Sequence, residues 1–353
     1  MIYRLLCILL LMATQLKAQV LDFDSEAISE DFVYNLNVYS EAYSRPVIDA
    51  FSYNSINGWN QTARIIRPYS VRLEFVAGAV FTQEDNVRFN FNDYAFSENF
   101  DVSGPTAPIL PTALGGTTEN LFQYTVEGTV GGIQNIQATR DIPALSGAEF
   151  PGNSTPNLVP QISLGLPKSF ELVARFFPYY KYEGVSHNEF GIGVKHGLNQ
   201  YFNFPENLHW NIGAFYDLNQ YTYRPDDFLE GEDQKIRLRG SAFLVESMAS
   251  YDYRFVSVFG GLGFYNWTNS FSILGTYRYE LEEGEFNGRE VFTTTDPVEI
   301  FNNRTGVKAS AGVTFRILKL VSLSTAYHFA SRNTLTLNLS FNFGTWPREE
   351  GDQ

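Results

Sequence analysis

Apolar and polar residues alternate strictly over much of the chain, and the stretch LTLNLSFNFG shows this pattern most clearly. Leucine or phenylalanine occupies every second position from Leu335 to Phe343, and threonine, asparagine or serine occupies each position between them. Successive side chains of a β-strand point to opposite faces, so the pattern predicts a strand with one apolar and one polar face. The apolar face must meet either the core of a soluble protein or lipid.

The same alternation recurs from Val71 to Gly344 and predicts about twelve strands. Many segments reach the roughly nine to eleven residues that cross a bilayer at a tilt, whereas strands of soluble folds average about five or six. A further hairpin near 271–293 would add two strands, so fourteen is the alternative. The predicted strands lie near residues 70–82, 86–96, 119–128, 158–166, 169–181, 188–200, 207–222, 235–250, 254–266, 304–317, 320–331 and 334–344.

The predicted connections fall into two kinds. Those at 165–168 and 318–319 are tight, whereas four others are long, polar and rich in Pro, Gly, Asp and Asn. Short turns at one end and long loops at the other are typical of outer-membrane barrels. With twelve strands, however, the long segment 97–118 falls on the short-turn side. The long connections are 97–118, 129–157, 222–235 and 267–303.

The polar faces carry charges of both signs, which suits the wet interior of a barrel. In a soluble β-sandwich the same residues would face solvent while the apolar faces packed together. The length of the segments and the aromatic residues near their ends favour the first interpretation. The predicted fold class is therefore an all-β transmembrane antiparallel β-barrel, spanning 69–344. The candidate lumen-lining residues are Arg72, Glu74, Glu171, Arg175, Lys195, Asp217, Lys308 and Arg316.

The N-terminal stretch MIYRLLCILLLMATQLKA has the features of a cleaved secretory signal peptide over residues 1–18. Arg4 precedes an apolar run that is too short to span a bilayer, and Ala18 lies at the expected cleavage site. Cys7, the only cysteine, lies within this segment, so the mature chain would contain no disulfide. The net charge of −14 argues against nucleic acid as a partner.

Residues 19–68 lack sustained alternation and are predicted to form a plug inside the barrel or a cap at its periplasmic mouth. Around 43–59 the spacing of apolar residues indicates one or two helical turns, with Pro46 at the helix start. In a plug, Tyr53 and Trp59 would line a path for a small apolar ligand. In a cap, the segment would only close the mouth. The candidate plug residues are Pro46, Phe51, Tyr53, Asn57, Gly58 and Trp59.

Motifs of catalysis and cofactor binding do not occur in the sequence. There is no HExxH, no GxxxxGK[ST] and no GxSxG, and the four histidines have no metal-ligand spacing. We therefore expect no enzymatic activity, no cofactor and no metal site.

Two blocks of sequence carry a resemblance to a known family. One runs from Tyr43 through Asn57-Gly58-Trp59 to Pro68, and the other is GLPKSFELVARFFPYYKYEGVSHNEFGIGVKHGLNQYF, residues 165–202. Together they resemble an uncharacterised family, a domain of unknown function, of Gram-negative outer-membrane β-barrel proteins. This resemblance implies location and fold and no activity.

A looser similarity is to the long-chain fatty-acid transporter (FadL-like) barrels. These barrels hold an N-terminal plug in the lumen that carries an Asn-Pro-Ala motif, where this chain has Arg45-Pro46-Val47. The similarity implies a porin-like channel or transporter for small hydrophobic molecules.

Three functions are compatible with the sequence. The first is transport of small hydrophobic molecules through the barrel, and the second is a structural or partner-binding outer-membrane protein without transport. The third is a secreted soluble β-sandwich that binds a ligand. The expected partners are outer-membrane lipid and lipopolysaccharide, the barrel-assembly machinery, and a small hydrophobic ligand. Residues 345–353 are predicted to form a periplasmic tail.

Overall fold

The computed structural model describes residues 21–22, 25–130, 133–149, 151–182, 184–224, 231–282, 289–318 and 320–344. The predicted signal peptide (1–18) and the predicted C-terminal tail (345–353) lie outside these ranges.

Within these ranges the chain forms one long helix and a succession of antiparallel strands. In chain order these elements are β1 (Leu21–Asp22), α1 (Ser25–Ile56), β2 (Val71–Phe81), β3 (Arg88–Asn90), β4 (Phe100–Ser103), β5 (Ile109–Pro111), β6 (Leu121–Val130), β7 (Ile133–Pro143), β8 (Ser154–Leu166), β9 (Phe170–Tyr182), β10 (Val185–Gly197), β11 (Leu208–Tyr223), β12 (Gly231–Tyr253), β13 (Val256–Glu282), β14 (Arg289–Thr295), β15 (Val298–Arg316), β16 (Val321–Phe329) and β17 (Thr334–Phe343). Single 3₁₀ turns cover Glu84–Asn86, Phe91–Asp93, Pro151–Asn153 and Asn199–Tyr201.

Ten of these strands close into a barrel. Their order is β2-β8-β9-β10-β11-β12-β13-β15-β16-β17, and β17 returns to pair with β2, with Phe343 opposite Val71. Every pairing in the ring is antiparallel. Closure pairs both edges of every strand in the ring, which is the condition for a sheet to stand in lipid.

The alternation of the sequence places polar residues inside this ring and apolar residues outside it. On β17, Thr334, Asn338 and Ser340 are buried, whereas Leu337 and Leu339 are exposed. The other barrel strands repeat this arrangement, with exposed Ile162, Phe176, Phe190, Leu262 and Val307 among the outward residues. A polar interior under an apolar belt is the inverse of a sandwich core, so the predicted transmembrane β-barrel is confirmed and the alternative of a soluble sandwich is wrong.

The predicted number of twelve strands is wrong, and so is the alternative of fourteen. Segments 86–96 and 119–128 lie outside the ring, and residues 82–153 form a single connection between β2 and β8. This correction also removes the long loop that the twelve-strand prediction placed among the short turns. The predicted extra hairpin is an extension of the barrel wall, because β14 pairs with the distal end of β13.

The connection between β2 and β8 folds into a module of its own. Strand β6 pairs with β7 on one edge and with β4 and β1 on the other, and β3 pairs with β5. Its core is aromatic, with Phe91, Phe100 and Phe122 packed together and Tyr39 of α1 set edge-on against Phe122. We call residues 82–153 the outer module. The N-terminal half of α1 completes its core.

Strands β12 and β13 extend far beyond the part of the barrel that a bilayer could cover. They contain 23 and 27 residues, more than twice the roughly nine to eleven that span a membrane. Their distal parts carry Leu238, Phe271 and Ile273, which pack against Ile48 of α1. The helix is therefore held between this extended wall and the outer module. Among the described helices, none is long and apolar enough to cross a membrane.

Candidate functional site in the barrel lumen

The C-terminal half of α1 and the segment that follows it, residues 48–66, run down the inside of the barrel. We call these residues the lumen segment. Tyr53 bonds to Tyr265 on β13, Asn57 to Thr334 on β17 and Asn60 to Asn211 on β11. Further contacts reach β8, β9, β12 and β15. Since these strands are distributed around the ring, the segment that contacts all of them lies inside the barrel.

The helix is much longer than the one or two turns that the sequence predicts. It starts at Ser25, so Pro46 lies within it and not at its first turn. A proline in a helix interior removes one hydrogen bond and opens the turn before it. Here the Tyr43 carbonyl in that turn accepts a hydrogen bond from the Ala113 amide of the outer module. The helix tolerates Pro46 because neighbouring elements pack around the turn.

Two buried cations from the barrel wall cap the C-terminal end of α1. Arg175 donates to the carbonyl oxygen of Asn57 at 2.7 Å, and Lys308 donates to that of Ile56 at 3.0 Å. The last carbonyls of a helix lack partners within it and carry its negative end, so cations stabilise them. Lys308 also pairs with Glu246 at 3.1 Å, and Gly263 leaves room for its aliphatic stem.

The chain turns sharply at the end of the helix. Gly58 has φ of +73°, the left-handed conformation that commonly ends helices and that favours glycine. A Cβ atom at Gly58 would also collide with Val76 on β2. Asn57 at this turn donates to Thr334 at 3.0 Å and accepts from Lys308 at 3.2 Å. The turn is therefore matched to the part of the wall formed by β15, β17 and β2.

Trp59 is buried inside the ring, against strands β9 to β11. Its ring stacks on Phe215, with 5.1 Å between the ring centroids, and the Arg175 guanidinium lies 3.8 Å from the ring centroid on a cation–π contact. Its indole nitrogen donates to the Ser55 carbonyl at 2.7 Å. Gly191 faces the ring, where a Cβ atom would lie 2.5 Å from Trp59. The indole ring of Trp59 is thus in contact with Phe215 and Arg175, and its N–H group is hydrogen-bonded.

A second layer of ion pairs lies nearer the end of the barrel that carries the short turns 167–169 and 254–255. We call this the short-turn end and the opposite one the long-loop end. Glu171 is fully buried, pairs with Lys195, approaches Arg72 at 3.7 Å and accepts from the Ile66 amide at 3.1 Å. Glu74 accepts from Gln161 at 2.8 Å and from Asn338 at 2.9 Å. Glu171 thus connects the wall to the lumen segment, whereas Glu74 connects neighbouring strands of the wall.

Asp252 forms the last ionic contact before the short turns. Arg316 donates to it at 2.5 Å and Arg64 of the lumen segment at 3.3 Å. A space of about 70 Å³ remains beside it, between residues 61–66 and strands β15 to β17. This volume is sufficient for only a few water molecules.

The structure brings most of the predicted site residues together. Seven of the eight predicted lumen-lining residues are buried inside the ring, and the eighth, Arg316, is half-buried at its short-turn end. Asp217 lies in register with Gly191, which in turn lies in register with Arg175. Among the predicted plug residues, Tyr53, Asn57, Gly58 and Trp59 lie in the lumen. Phe51 stacks on Tyr221 of β11, with 4.1 Å between the ring centroids. Pro46 lies beyond the lumen segment, beside the outer module.

Sequence reasoning missed several lumen residues. Glu189, Glu246 and Gln161 are buried among the residues described above. Glu246 lies between Leu244 and Met248 on the inward face of β12, so apolar residues share that face and the alternation does not mark it. Gln161 begins the alternating stretch QISLGL and could have been found by the same pattern. Glu189 follows a bulge where Pro178 interrupts the pairing of β9 with β10, so the alternation before it is broken.

These features define a class: a transmembrane β-barrel, of the kind found in Gram-negative outer membranes, whose lumen contains the chain's own N-terminal segment. The chain belongs to DUF6588, a family of unknown function, whose model matches residues 1–343. No protein of curated function matches the sequence at a significant level.

Several solved barrels are distantly similar. Ail from Yersinia pestis, in complex with a heparin analogue, is 10% identical over 78% of this chain and 99% of its own, with a TM-score of 0.27. The translocator domain of the autotransporter NalP from Neisseria meningitidis is 9% identical over 88% and 99%, with a TM-score of 0.27. The transport unit of AIDA-I from Escherichia coli is 9% identical over 85% and 99%, with a TM-score of 0.30. At these values they carry no information about function, and the fold class rests on the strand pairing and the apolar belt.

Proposed function

We propose that this protein is a closed outer-membrane barrel that anchors its outer module at the cell surface, without forming an open channel. The observation that carries the proposal is the filled lumen. Residues 48–66 bond to wall residues from Asn269 near the long-loop end to Glu171 near the short turns. The proposal is the structural or partner-binding alternative among the functions that the sequence left open.

The energetics of the lumen support a permanent closure. Arg175, Lys308 and Glu171 are each buried and each bonded to backbone groups of the lumen segment. Displacing the segment would break these hydrogen bonds, and a hydrogen bond to a charged group contributes about 1.5 to 3 kcal/mol. A ligand-driven gate would have to overcome this cost at several positions at once.

The predicted path for a small hydrophobic molecule receives less support. Tyr53 and Trp59 were expected to line it, but both side chains are packed against wall residues and hydrogen-bonded. The remaining space at the short-turn end is small, and apart from Ile65 and Ile66 it is lined by polar and charged residues. Such a lining suits water better than an alkyl chain.

The orientation follows from the connections. In outer-membrane barrels the short turns are periplasmic and the long loops external. The turns at 167–169 and 254–255 are short, whereas 82–153 and the extended β12–β13 wall lie at the other end. We therefore place the outer module at the cell surface, with lipopolysaccharide around it. Export through a cleaved signal peptide, insertion by the barrel-assembly machinery and the lack of enzymatic activity belong to the same proposal.

Ion conductance in planar bilayers tests this function. We expect the full-length protein to give no stable pore, since its lumen is filled. A variant lacking residues 25–60 should conduct, because the wall would then enclose a polar channel. If that deletion fails to fold, Arg175→Ala combined with Lys308→Ala offers a second variant, which loosens the helix end and should give flickering conductance.

Uptake of a radiolabelled long-chain fatty acid by cells distinguishes the proposal from transport. Cells that make the protein should take up the fatty acid no faster than cells with the empty vector. Stable pores of the unmodified protein, or uptake that depends on it, would contradict the closed-barrel proposal.

A further inference from the structure

A partly open cavity of about 710 Å³ lies where α1, the outer module and the barrel rim meet. We call it the rim cavity. The helix contributes Arg45 and Pro46, the outer module Arg88 and Tyr94, and the barrel Arg304 and Arg332. This volume lies within the usual range for small-molecule sites, about 300 to 1,000 Å³. The proposed anchoring function leaves this cavity unexplained.

The charge of the rim cavity differs from that of the whole molecule. The chain has a net charge of −14, with 25 basic and 39 acidic residues, yet four arginines against three aspartates line this one space and give it a formal charge of +1. Arginine presents its guanidinium group as a planar fork that matches phosphate and carboxylate oxygens. The cluster is therefore suited to an anion.

The four arginines have two different roles. Arg304 and Arg332 both approach the buried carboxylate of Asp49, at 3.7 Å and 3.3 Å, and fasten the barrel rim to the helix. Two cations share this single carboxylate, so the group retains positive charge. Arg45 and Arg88 are exposed and form no ion pair within the described part of the chain. Both are free to bind a ligand.

The rest of the lining suits hydroxyl groups and a compact ring. Gln83, Asn86 and Asn90 supply amides, and Thr112 and Ser331 supply hydroxyls. Phe89 and Tyr94 provide aromatic surface beside them, with Tyr94 half-buried. Asp85 and Asp93 also line the cavity, and their carboxylates can accept from sugar hydroxyls while repelling a second anion on their side.

We propose that the rim cavity is a binding site for a phosphorylated saccharide. The phosphate groups would lie against Arg45 and Arg88, and the sugar hydroxyls against the amides and Asp93. Two sources share this chemistry: a free sugar phosphate, and the phosphorylated saccharide of a lipid headgroup such as that of lipopolysaccharide. The site is independent of whether the lumen conducts, so its test and the conductance test can fail separately.

Isothermal titration calorimetry on the detergent-solubilised full-length protein tests the proposal. The probes are glucose 1,6-bisphosphate, glucose and inorganic phosphate, together with vesicles that contain lipopolysaccharide. We expect the bisphosphate or the lipopolysaccharide vesicles to bind, glucose not to bind, and inorganic phosphate to bind at least tenfold more weakly. Binding should weaken as salt concentration rises, because the contacts are between charges. Whichever of the two probes binds identifies the source.

Matched variants show whether binding occurs in this cavity. Arg45→Gln with Arg88→Gln should weaken binding at least tenfold, since both charges face the ligand. Arg140→Gln is the control, because Arg140 is exposed on β7 of the outer module and does not line the cavity. An equal loss in the control, or unchanged binding in the double variant, would overturn the proposal. So would the failure of both phosphorylated probes to bind, or binding of inorganic phosphate as tight as theirs.

Discussion

Single buried charges hold the lumen segment in place, and Lys308 shows how. It bonds to the helix end and to Glu246, so replacing it leaves a buried carboxylate and free carbonyls. We predict that Lys308→Met lowers the free energy of unfolding by about 3 kcal/mol. Guanidinium titration of the reconstituted protein, followed by tryptophan fluorescence, measures this change.

A double-mutant cycle provides the control for Lys308. Adding Glu246→Gln to Lys308→Met should restore part of the lost stability, because the carboxylate is then neutral. Losses that simply add would mean that the two residues do not interact, contrary to their 3.1 Å contact.

Gly191 leaves the space that the Trp59 ring occupies, so a side chain at this position should destabilise the protein. An added Cβ atom would lie 2.5 Å from Trp59 and 2.7 Å from Asp217, so Gly191→Ala should cost about 1 to 3 kcal/mol by overpacking. Gly260→Ala is the matched control, since a Cβ atom there meets only the Ser310 carbonyl at 3.5 Å. The urea or guanidinium midpoint should fall for the first variant alone, and equal midpoints would contradict the packing described for Trp59.

At the scale of elements, the barrel strands could be predicted and α1 could not. Strands in a barrel wall face two different environments, so their sequences alternate. Helix α1 is surrounded by the outer module, the extended wall and a polar lumen. Its buried residues include Ser52, Asn54 and Ser55 as well as Tyr53. No apolar stripe develops when a helix buries polar residues against a polar wall, so the usual periodicity is missing.

The prediction that residues 119–128 form a barrel strand is wrong for a related reason. Residues 119–128 alternate like a barrel strand, and Phe122, Tyr124 and Val126 are indeed buried on one face. The pattern specifies a two-faced strand but not which sheet the strand joins. The apolar face of β6 packs on the aromatic core of the outer module, whereas the apolar faces of the barrel strands meet lipid.

The module and the barrel should therefore unfold separately. Phe122→Ala removes a ring that contacts Phe100 and Tyr39 at centroid distances of 4.9 Å and 4.7 Å, at a cost of about 3 to 5 kcal/mol. We expect limited proteolysis to cut this variant within 82–153 while the heat-modifiable gel shift of the folded barrel persists. Gln123→Ala, on the opposite face of the same strand, should resist the protease like the unmodified protein. Loss of the gel shift in Phe122→Ala would show that the two parts are not independent.

At the scale of the whole molecule, the alternation predicts a closed barrel because only that arrangement satisfies an apolar outside, a polar inside and paired backbone groups together. Strand number was less predictable, since it depends on where the chain leaves the ring. The path of the lumen segment depends on contacts between residues as distant as Asn57 and Thr334. Contacts between such distant residues cannot be predicted from the order of apolar and polar residues in either segment.

The central claim is that residues 48–66 occupy the lumen of the barrel in the membrane. Cysteine cross-linking in intact cells tests it most directly, in a Cys7→Ser background. The Ser52 hydroxyl lies 2.6 Å from the Asn269 amide, so Ser52→Cys with Asn269→Cys should cross-link on mild oxidation or with a short bis-maleimide. Leu262 faces outward, so Ser52→Cys with Leu262→Cys should not cross-link. Cross-linking of the first pair alone is the predicted result. Failure of that pair, with both cysteines open to a bulky maleimide, would contradict the account.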